Sequence, residues 1–272
     1  MKGKTIILLS ALLLWHLGMA AQDSLGVRVH STMFGGGFTD VYDTYLSPYR
    51  YTGGEVRVVR ETYRKTKMAD GKVSVQTLVD VNLGYTDNRA GNAHEVTGGL
   101  RCVWNWFYPF LDKGFAGHRH LRLLAGGGLN GYLAGIYNTR NGNNPGQGKL
   151  NLMTDLSGMA EYDFRLSGKP MSLRYQLTMP LIGAAFSPNY GQSYYEMFSL
   201  GNYDRNVVFA WMGNMPSLSH LLTLDFPVSR SVIRIGYRGE FNQSTWNGLR
   251  YHQYSNCLMI GWVKTFGKTT AK

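Results

Sequence analysis

Leu150-Asn151-Leu152-Met153-Thr154-Asp155-Leu156-Ser157-Gly158-Met159-Ala160-Glu161-Tyr162-Asp163-Phe164-Arg165-Leu166 alternates without a slip for seventeen residues. One face reads Leu, Leu, Thr, Leu, Gly, Ala, Tyr, Phe, Leu; the other carries Asp155, Glu161, Asp163 and Arg165 among polar residues and methionines. A period of two is the signature of a β-strand with unlike surfaces. Strands of globular domains usually stop near five or six residues, so this one is about three times too long for an ordinary sheet. A soluble sandwich would need a second sheet to bury the apolar face. A membrane barrel needs only lipid.

The same pattern recurs outward from this stretch. Val75, Thr77, Val79, Val81 and Leu83 oppose Ser74, Gln76, Asp80 and Asn82, and Leu100, Cys102, Trp104 and Trp106 oppose Arg101 and Asn105. Leu121, Leu123 and Leu129 oppose His120, Arg122 and Asn130; Leu173, Tyr175 and Leu177 oppose Arg174 and Gln176. Ile233, Ile235 and Tyr237 oppose Arg234, Arg238 and Glu240, and Leu258, Ile260 and Trp262 close the series. Short connections are expected at 68–72, 167–170 and 227–231, with a middling one at 109–118. Longer loops are expected near 35–54, 87–93, 135–149, 187–216 and 242–252. Short turns at one end and long loops at the other mark the periplasmic and extracellular rims of an outer-membrane barrel. The reading is an all-β, antiparallel, up-and-down transmembrane barrel of ten strands. It becomes twelve if 194–200 and 207–211 add a hairpin. Trp104, Trp106, Tyr108 and Phe110, then Tyr162 and Phe164, then Trp262 and Phe266 fall at one rim, as an aromatic girdle does.

Residues 1–21 read as a secretory signal: Lys2 and Lys4, an apolar run at 6–15, and small residues at 18–21. The barrel is expected over 22–266 and a short tail over 267–272. The cell outer membrane is the expected location. The formal charge of +11 falls to +9 without Lys2 and Lys4. For an exported chain this balance suits phosphate-bearing lipid headgroups and lipopolysaccharide, not nucleic acid. Barrel assembly machinery and other outer-membrane proteins are the remaining expected partners. Cys102 and Cys257 lie on strands placed far apart, so no disulfide is expected. No metal-ligand cluster or nucleotide fingerprint is present in the sequence, and no cofactor is expected. Gly35-Gly36-Gly37 and Gly126-Gly127-Gly128 lack a strand–turn–helix context and read as strand bends.

Three groups of residues are candidates for function. The first is the inward charge set: Arg57 or Arg60 with Arg64, then Asp80, Arg101, Asp155, Glu161, Asp163, Arg165, Arg174, Arg234, Arg238 and Glu240. In a narrow interior these groups must pair or keep water, so they form either a plug of ion pairs or a pore lining. The second is the segment 187–198. Its Asn189, Tyr190, Gln192, Tyr194, Tyr195, Glu196 and Phe198 give stacking and hydrogen-bonding groups suited to saccharide headgroups, or a cap over the mouth. The third is a hydrolytic set at the outer rim, with His220 as base, Ser193, Ser217 or Ser219 as nucleophile, and Asn256 or His252 as orienting group.

The runs Asp43-Thr44-Tyr45-Leu46-Ser47-Pro48, Asp70-Gly71-Lys72-Val73-Ser74-Val75-Gln76, Tyr137-Asn138-Thr139-Arg140, Gly191-Gln192-Ser193-Tyr194-Tyr195-Glu196 and Leu224-Asp225-Phe226-Pro227-Val228 resemble a family of exported barrels. The family is described as a domain of unknown function and occurs in Gram-negative gut and oral anaerobes. The resemblance spans nearly the whole mature chain. It implies the fold and the location, and it brings no active site. Three roles follow as expectations: a scaffold or surface-binding barrel with a plugged lumen, a narrow channel for small polar or anionic solutes, or an outer-leaflet lipid or lipopolysaccharide hydrolase.

Overall fold

A computed structural model describes residues 24–266. The signal segment, the tail at 267–272 and the Phe266 side chain lie outside the described residues. Ten strand positions close on themselves in an all-antiparallel barrel. They are β1 (Ser24–Asp43), β2 (Arg50–Thr66), β3 (Ser74–Asn88), β4 (His94–Phe115), β5 (Arg119–Asn138), β6 (Gly146–Leu166), β7 (Lys169–Phe186), β9 (Leu218–Val228), β10 (Ser231–Trp246) and β11 (Leu249–Phe266). One helix, α1 (Tyr194–Phe198), and one extra strand, β8 (Val207–Trp211), lie between β7 and β9.

β8 and β9 share one place in the wall. β9 pairs with the lower half of β7 (Ser172 with Asp225), and β8 with its upper half (Phe186 with Val207). The segment 212–217 bridges to β10, where the Thr245 N–H donates to the Asn214 carbonyl at 2.9 Å. The twelve-strand alternative therefore does not hold: 194–198 is helical, and 207–211 extends an existing strand position.

Partners followed round the wall give the geometry. Leu173 pairs with Leu224, then Ile235, Ile260, Phe34, Val58, Val81, Leu100, Leu133, Leu150 and finally Phe186. Every residue on this path is apolar, as lipid contact requires. The circuit returns to β7 thirteen residues on, twelve once Leu181 is set aside at the β6–β7 register shift. For ten strands that stagger gives a tilt of about 40° and a backbone radius of about 10 Å. The opening stretch behaves as its alternation predicts, with Leu150, Leu152 and Leu156 exposed outward and Asn151, Met153, Asp155, Ser157 and Met159 buried inward.

Several connections are shorter than expected. The 35–54 loop shrinks to 44–49, the 109–118 link to 116–118, and the 242–252 loop to a two-residue Asn247-Gly248 turn. Both turn residues have positive φ, 51° and 76°, the pairing that Asn-Gly supplies in a tight hairpin. Strand β4 passes through Pro109 by a register shift to Leu111. Cys102, exposed on the outer face, and Cys257, buried, are both free thiols.

Candidate functional site

The lumen is filled in layers, and β2 shows the order from the extracellular end downward: Glu55, Arg57, Val59, Glu61, Tyr63. The upper charged layer holds Arg57, Arg101 and Arg238 against Glu55, Asp80 and Glu240. Arg57 reaches Glu55 at 2.7 Å, Asp80 at 2.9 Å and Glu240 at 3.0 Å; Arg238 reaches Glu240 at 2.6 Å and Asp80 at 3.1 Å. Three cations thus meet three anions. Beneath lies an apolar layer of Met33, Val59, Leu78, Val103, Leu221, Cys257 and Met259. The next charged layer centres on Glu61, which takes Arg174 at 2.5 Å, Arg234 at 2.7 Å and the Gln76 amide at 2.6 Å. Arg234 also clasps Asp225 at 2.6 Å. Phe107, Leu124 and Met159 follow, with Tyr63 packed against them. Glu161 and Arg122, paired at 2.9 Å, sit below.

Links span the full diameter at three heights, each joining strands five positions apart in the ten-position ring. Arg101 on β4 meets Glu240 on β10 at 3.2 Å and also donates to Asn242 on β10 at 2.9 Å, and Glu61 on β2 meets Arg174 on β7 at 2.5 Å. Near the mouth the Tyr132 hydroxyl on β5 donates to Gln253 on β11 at 3.3 Å. Arg57 is 2% exposed and Glu61 1%. Groups that water does not reach leave no water-wide path beside them. Charges buried this deeply persist only where each finds a partner.

Most of the expected inward charges are here: Asp80, Arg101, Asp155, Glu161, Arg174, Arg234, Arg238 and Glu240 are all buried. Asp155 stands apart, since among the described residues its only hydrogen-bond partner is the Asn130 amide at 3.4 Å. Arg57, not Arg60, faces inward; Arg60 is exposed and Arg64 shares its parity on the outer face. Asp163 is part-buried near the periplasmic turn, bonded to the Ser172 hydroxyl at 2.6 Å. Arg165 is exposed beside that turn and leaves the lumen set. Glu55, Glu61 and Asp225 escaped the sequence reading. Their parity with Arg57 along β2, and the Asp225–Arg234 register, were the signals that identify them.

The segment 187–206 forms a cap held largely by its own polar groups. Ser193 is the N-cap of α1: its hydroxyl accepts from the Glu196 N–H at 3.1 Å, and Glu196 accepts from the Ser193 N–H at 2.6 Å. That N–H, and after it the Ser193 hydroxyl donating to the same carboxylate at 3.0 Å, hold the Glu196 carboxyl below the ordinary glutamate range. Gln192 accepts from the Asn189 N–H at 3.0 Å and donates to the Asn202 carbonyl at 2.8 Å. The Tyr194 hydroxyl donates to Gln147 at 2.8 Å and accepts from the Gly148 N–H at 2.6 Å. Burial pushes the Tyr194 phenol up. Burial also lifts Tyr45 to about 12, helped by Tyr194, Asp43 and Glu196, so its hydroxyl stays a donor to the Gln192 carbonyl at 3.0 Å. Tyr190, Tyr195, Phe198 and Tyr203 present large exposed rings, at 77%, 66%, 62% and 64%. Of the expected binding loop, therefore, most polar members brace the cap.

The hydrolytic set is only partly assembled. His220 and Asn256 both lie opposite Gly239. The His220 ring lies across Gly239, where a Cβ would come within 2.1 Å of Nε2. Both candidates touch Tyr237, through ring centroids 5.3 Å apart and a 2.5 Å hydroxyl bond to Asn256. His252 is stacked on Tyr254 with centroids 4.5 Å apart. Ser193 is occupied in the α1 cap, and Ser217 exchanges hydrogen bonds with the Gln243 backbone. Ser219 sits beside Glu240 in the register, with the inward residues. Among the described residues no serine joins His220 and Asn256.

On the outer wall, Gly98, Gly135 and Gly148 form a cross-strand row. They floor a groove of about 750 Å³ lined by Leu83, Val96, Tyr137, Tyr194 and Tyr195.

Comparison with known proteins gives a family. A family described as protein of unknown function (DUF3316) matches residues 6–272. No curated protein matches the sequence. Among solved structures, the chain is similar to the outer membrane protease OmpT from Escherichia coli at 9% identity, covering 89% of this chain and 97% of that one with a TM-score of 0.48. It is similar to the transport unit of the autotransporter AIDA-I from Escherichia coli at 8% identity, 91% of each chain and a TM-score of 0.47. The translocator domain of the autotransporter NalP from Neisseria meningitidis gives 12% identity, 96% and 97% coverage and a TM-score of 0.37.

Proposed function

We propose that this chain, which belongs to the DUF3316 family of proteins of unknown function, is an outer-membrane barrel closed to solutes that works as a surface-binding or scaffold protein through its extracellular cap. The observation that carries the reading is that links cross the lumen at three heights, through Tyr132–Gln253, Arg101–Glu240 and Glu61–Arg174. A pore for polar solutes keeps its charges hydrated and its axis free, whereas here opposite walls are tied together at three heights. The lumen then serves as a rigid core. It leaves the loops as the part of the molecule that meets the outside.

Membrane lipid and lipopolysaccharide are the partners of the outer wall in this reading. The glycine-floored groove beneath Tyr194 and Tyr195 supports it, since it is apolar and lies on the lipid-facing side. A liposome-swelling assay tests the closed state. Vesicles carrying the protein are expected to exclude arabinose and glycine as well as protein-free vesicles do. Swelling at porin-like rates would sink the reading.

A further inference from the structure

Three extracellular loops, 44–49, 89–93 and 139–145, enclose a second cleft of about 890 Å³ on the opposite side of the third loop from the lipid-facing groove. Its charged lining is Arg50, Arg89 and Arg140, and no carboxylate lines it. Arg50 is neutralised by Asp40. Arg89 and Arg140 are exposed and carry no ion pair among the described residues.

The asparagines around them are committed to the frame. Asn138 accepts from the Arg140 and Asn141 N–H groups at 3.0 and 3.1 Å and donates to the Tyr51 hydroxyl at 3.0 Å. Asn141 donates to the Leu46 carbonyl at 2.9 Å, tying the third loop to the first. Asn88 and Asn92 close the second loop on each other, at 2.9 and 3.1 Å. Ser47 accepts from the Tyr49 N–H at 3.2 Å, fixing the base of a ring that is 65% exposed. The result is a stiff frame that presents two uncommitted guanidiniums and an aromatic face. Guanidiniums pair bidentately with carboxylate and phosphate, and a fixed ring stacks on a sugar. Preorganised loops lose little entropy on binding.

Building on the surface-binding reading, we propose that this cleft binds a saccharide bearing carboxylate or phosphate groups, with Arg89 and Arg140 clamping the anion and Tyr49 packing on the sugar. Such a group comes either from a soluble acidic glycan or from the lipopolysaccharide of the surrounding membrane.

Calorimetric titration of the full-length protein in phospholipid nanodiscs tests the proposal. Trigalacturonate and mannose 6-phosphate serve as soluble probes, purified lipopolysaccharide before and after dephosphorylation as the membrane probe, and maltotriose as the neutral control. At least one anionic probe is expected to bind in a salt-sensitive way and maltotriose not to bind. Arg89→Gln and Arg140→Gln should each weaken binding by about tenfold or more. Arg205→Gln, on the cap but outside the cleft, should leave it unchanged. The probe that binds identifies the source. Absence of binding by every anion, equal binding of maltotriose, or indifference to both cleft substitutions would each overturn the proposal. None of those results opens the lumen, so the closed-barrel reading is judged separately by solute exclusion.

Discussion

Arg101 and Glu240 rise from strands on opposite sides of the barrel and meet at 3.2 Å, inside a layer where three arginines face three carboxylates. Their meeting depends on the small radius set by ten strands and a stagger of twelve. Shorter side chains from opposite walls would leave a gap for water. Glu240 is the hub, since Arg57, Arg101 and Arg238 all reach it.

Glu240→Gln is expected to destabilise the barrel by about 3–5 kcal/mol, because three buried cations lose a shared counter-charge. Asp155→Asn is expected to cost little, since that carboxylate has no ion pair to lose. Thermal unfolding in detergent, followed by circular dichroism and by the gel-mobility shift of unfolded barrels, ranks the two. Equal midpoints for both variants would contradict the account of the lumen.

The cap depends on Tyr194. Tyr194→Phe removes the bond to Gln147 and leaves the Gly148 N–H without its acceptor. Local opening of 187–206 should become easier by about 1–3 kcal/mol, so hydrogen exchange there speeds up by about fivefold to a hundredfold while the strand amides keep their protection. Unchanged exchange in the cap would show that the phenol does not hold it.

The α1 cap should respond to acid. Glu196 has a folded pKa below its ordinary value, so its contribution is fully present above the ordinary glutamate range and is lost as pH falls through the lowered one. Exchange at 194–199, corrected for its intrinsic pH dependence, should rise in that window, and Glu196→Gln should abolish the rise. A rise that persists in Glu196→Gln would assign the transition to another group.

The sequence was most legible where lipid does the selecting. The Leu150–Leu166 stretch alternates because its outer residues face hydrocarbon and its inner ones face the packed lumen. A spanning strand needs only about 9–11 residues, yet most strands here run to 15 or more. Their upper parts stand above the membrane, with polar residues admitted to both faces. That explains why Asn242–Gln243–Ser244–Thr245 resembled a loop although it pairs with β11. Along β2 the run Val56-Arg57-Val58-Val59-Arg60 breaks the alternation, which hid the parity of Glu61 and let Arg60 pass for an inward residue. The partners of the lumen charges were out of reach for a different reason. Arg101 and Glu240 are 139 residues apart in the chain, and only closure of the barrel brings them together.

Single-channel recording in planar bilayers tests the closed lumen most directly. The protein as it exists is expected to give no conductance steps, while Arg101→Ala combined with Glu240→Ala, which removes the strut across the upper layer, should give brief small openings. Stable, stepwise current from the unaltered protein would contradict the account.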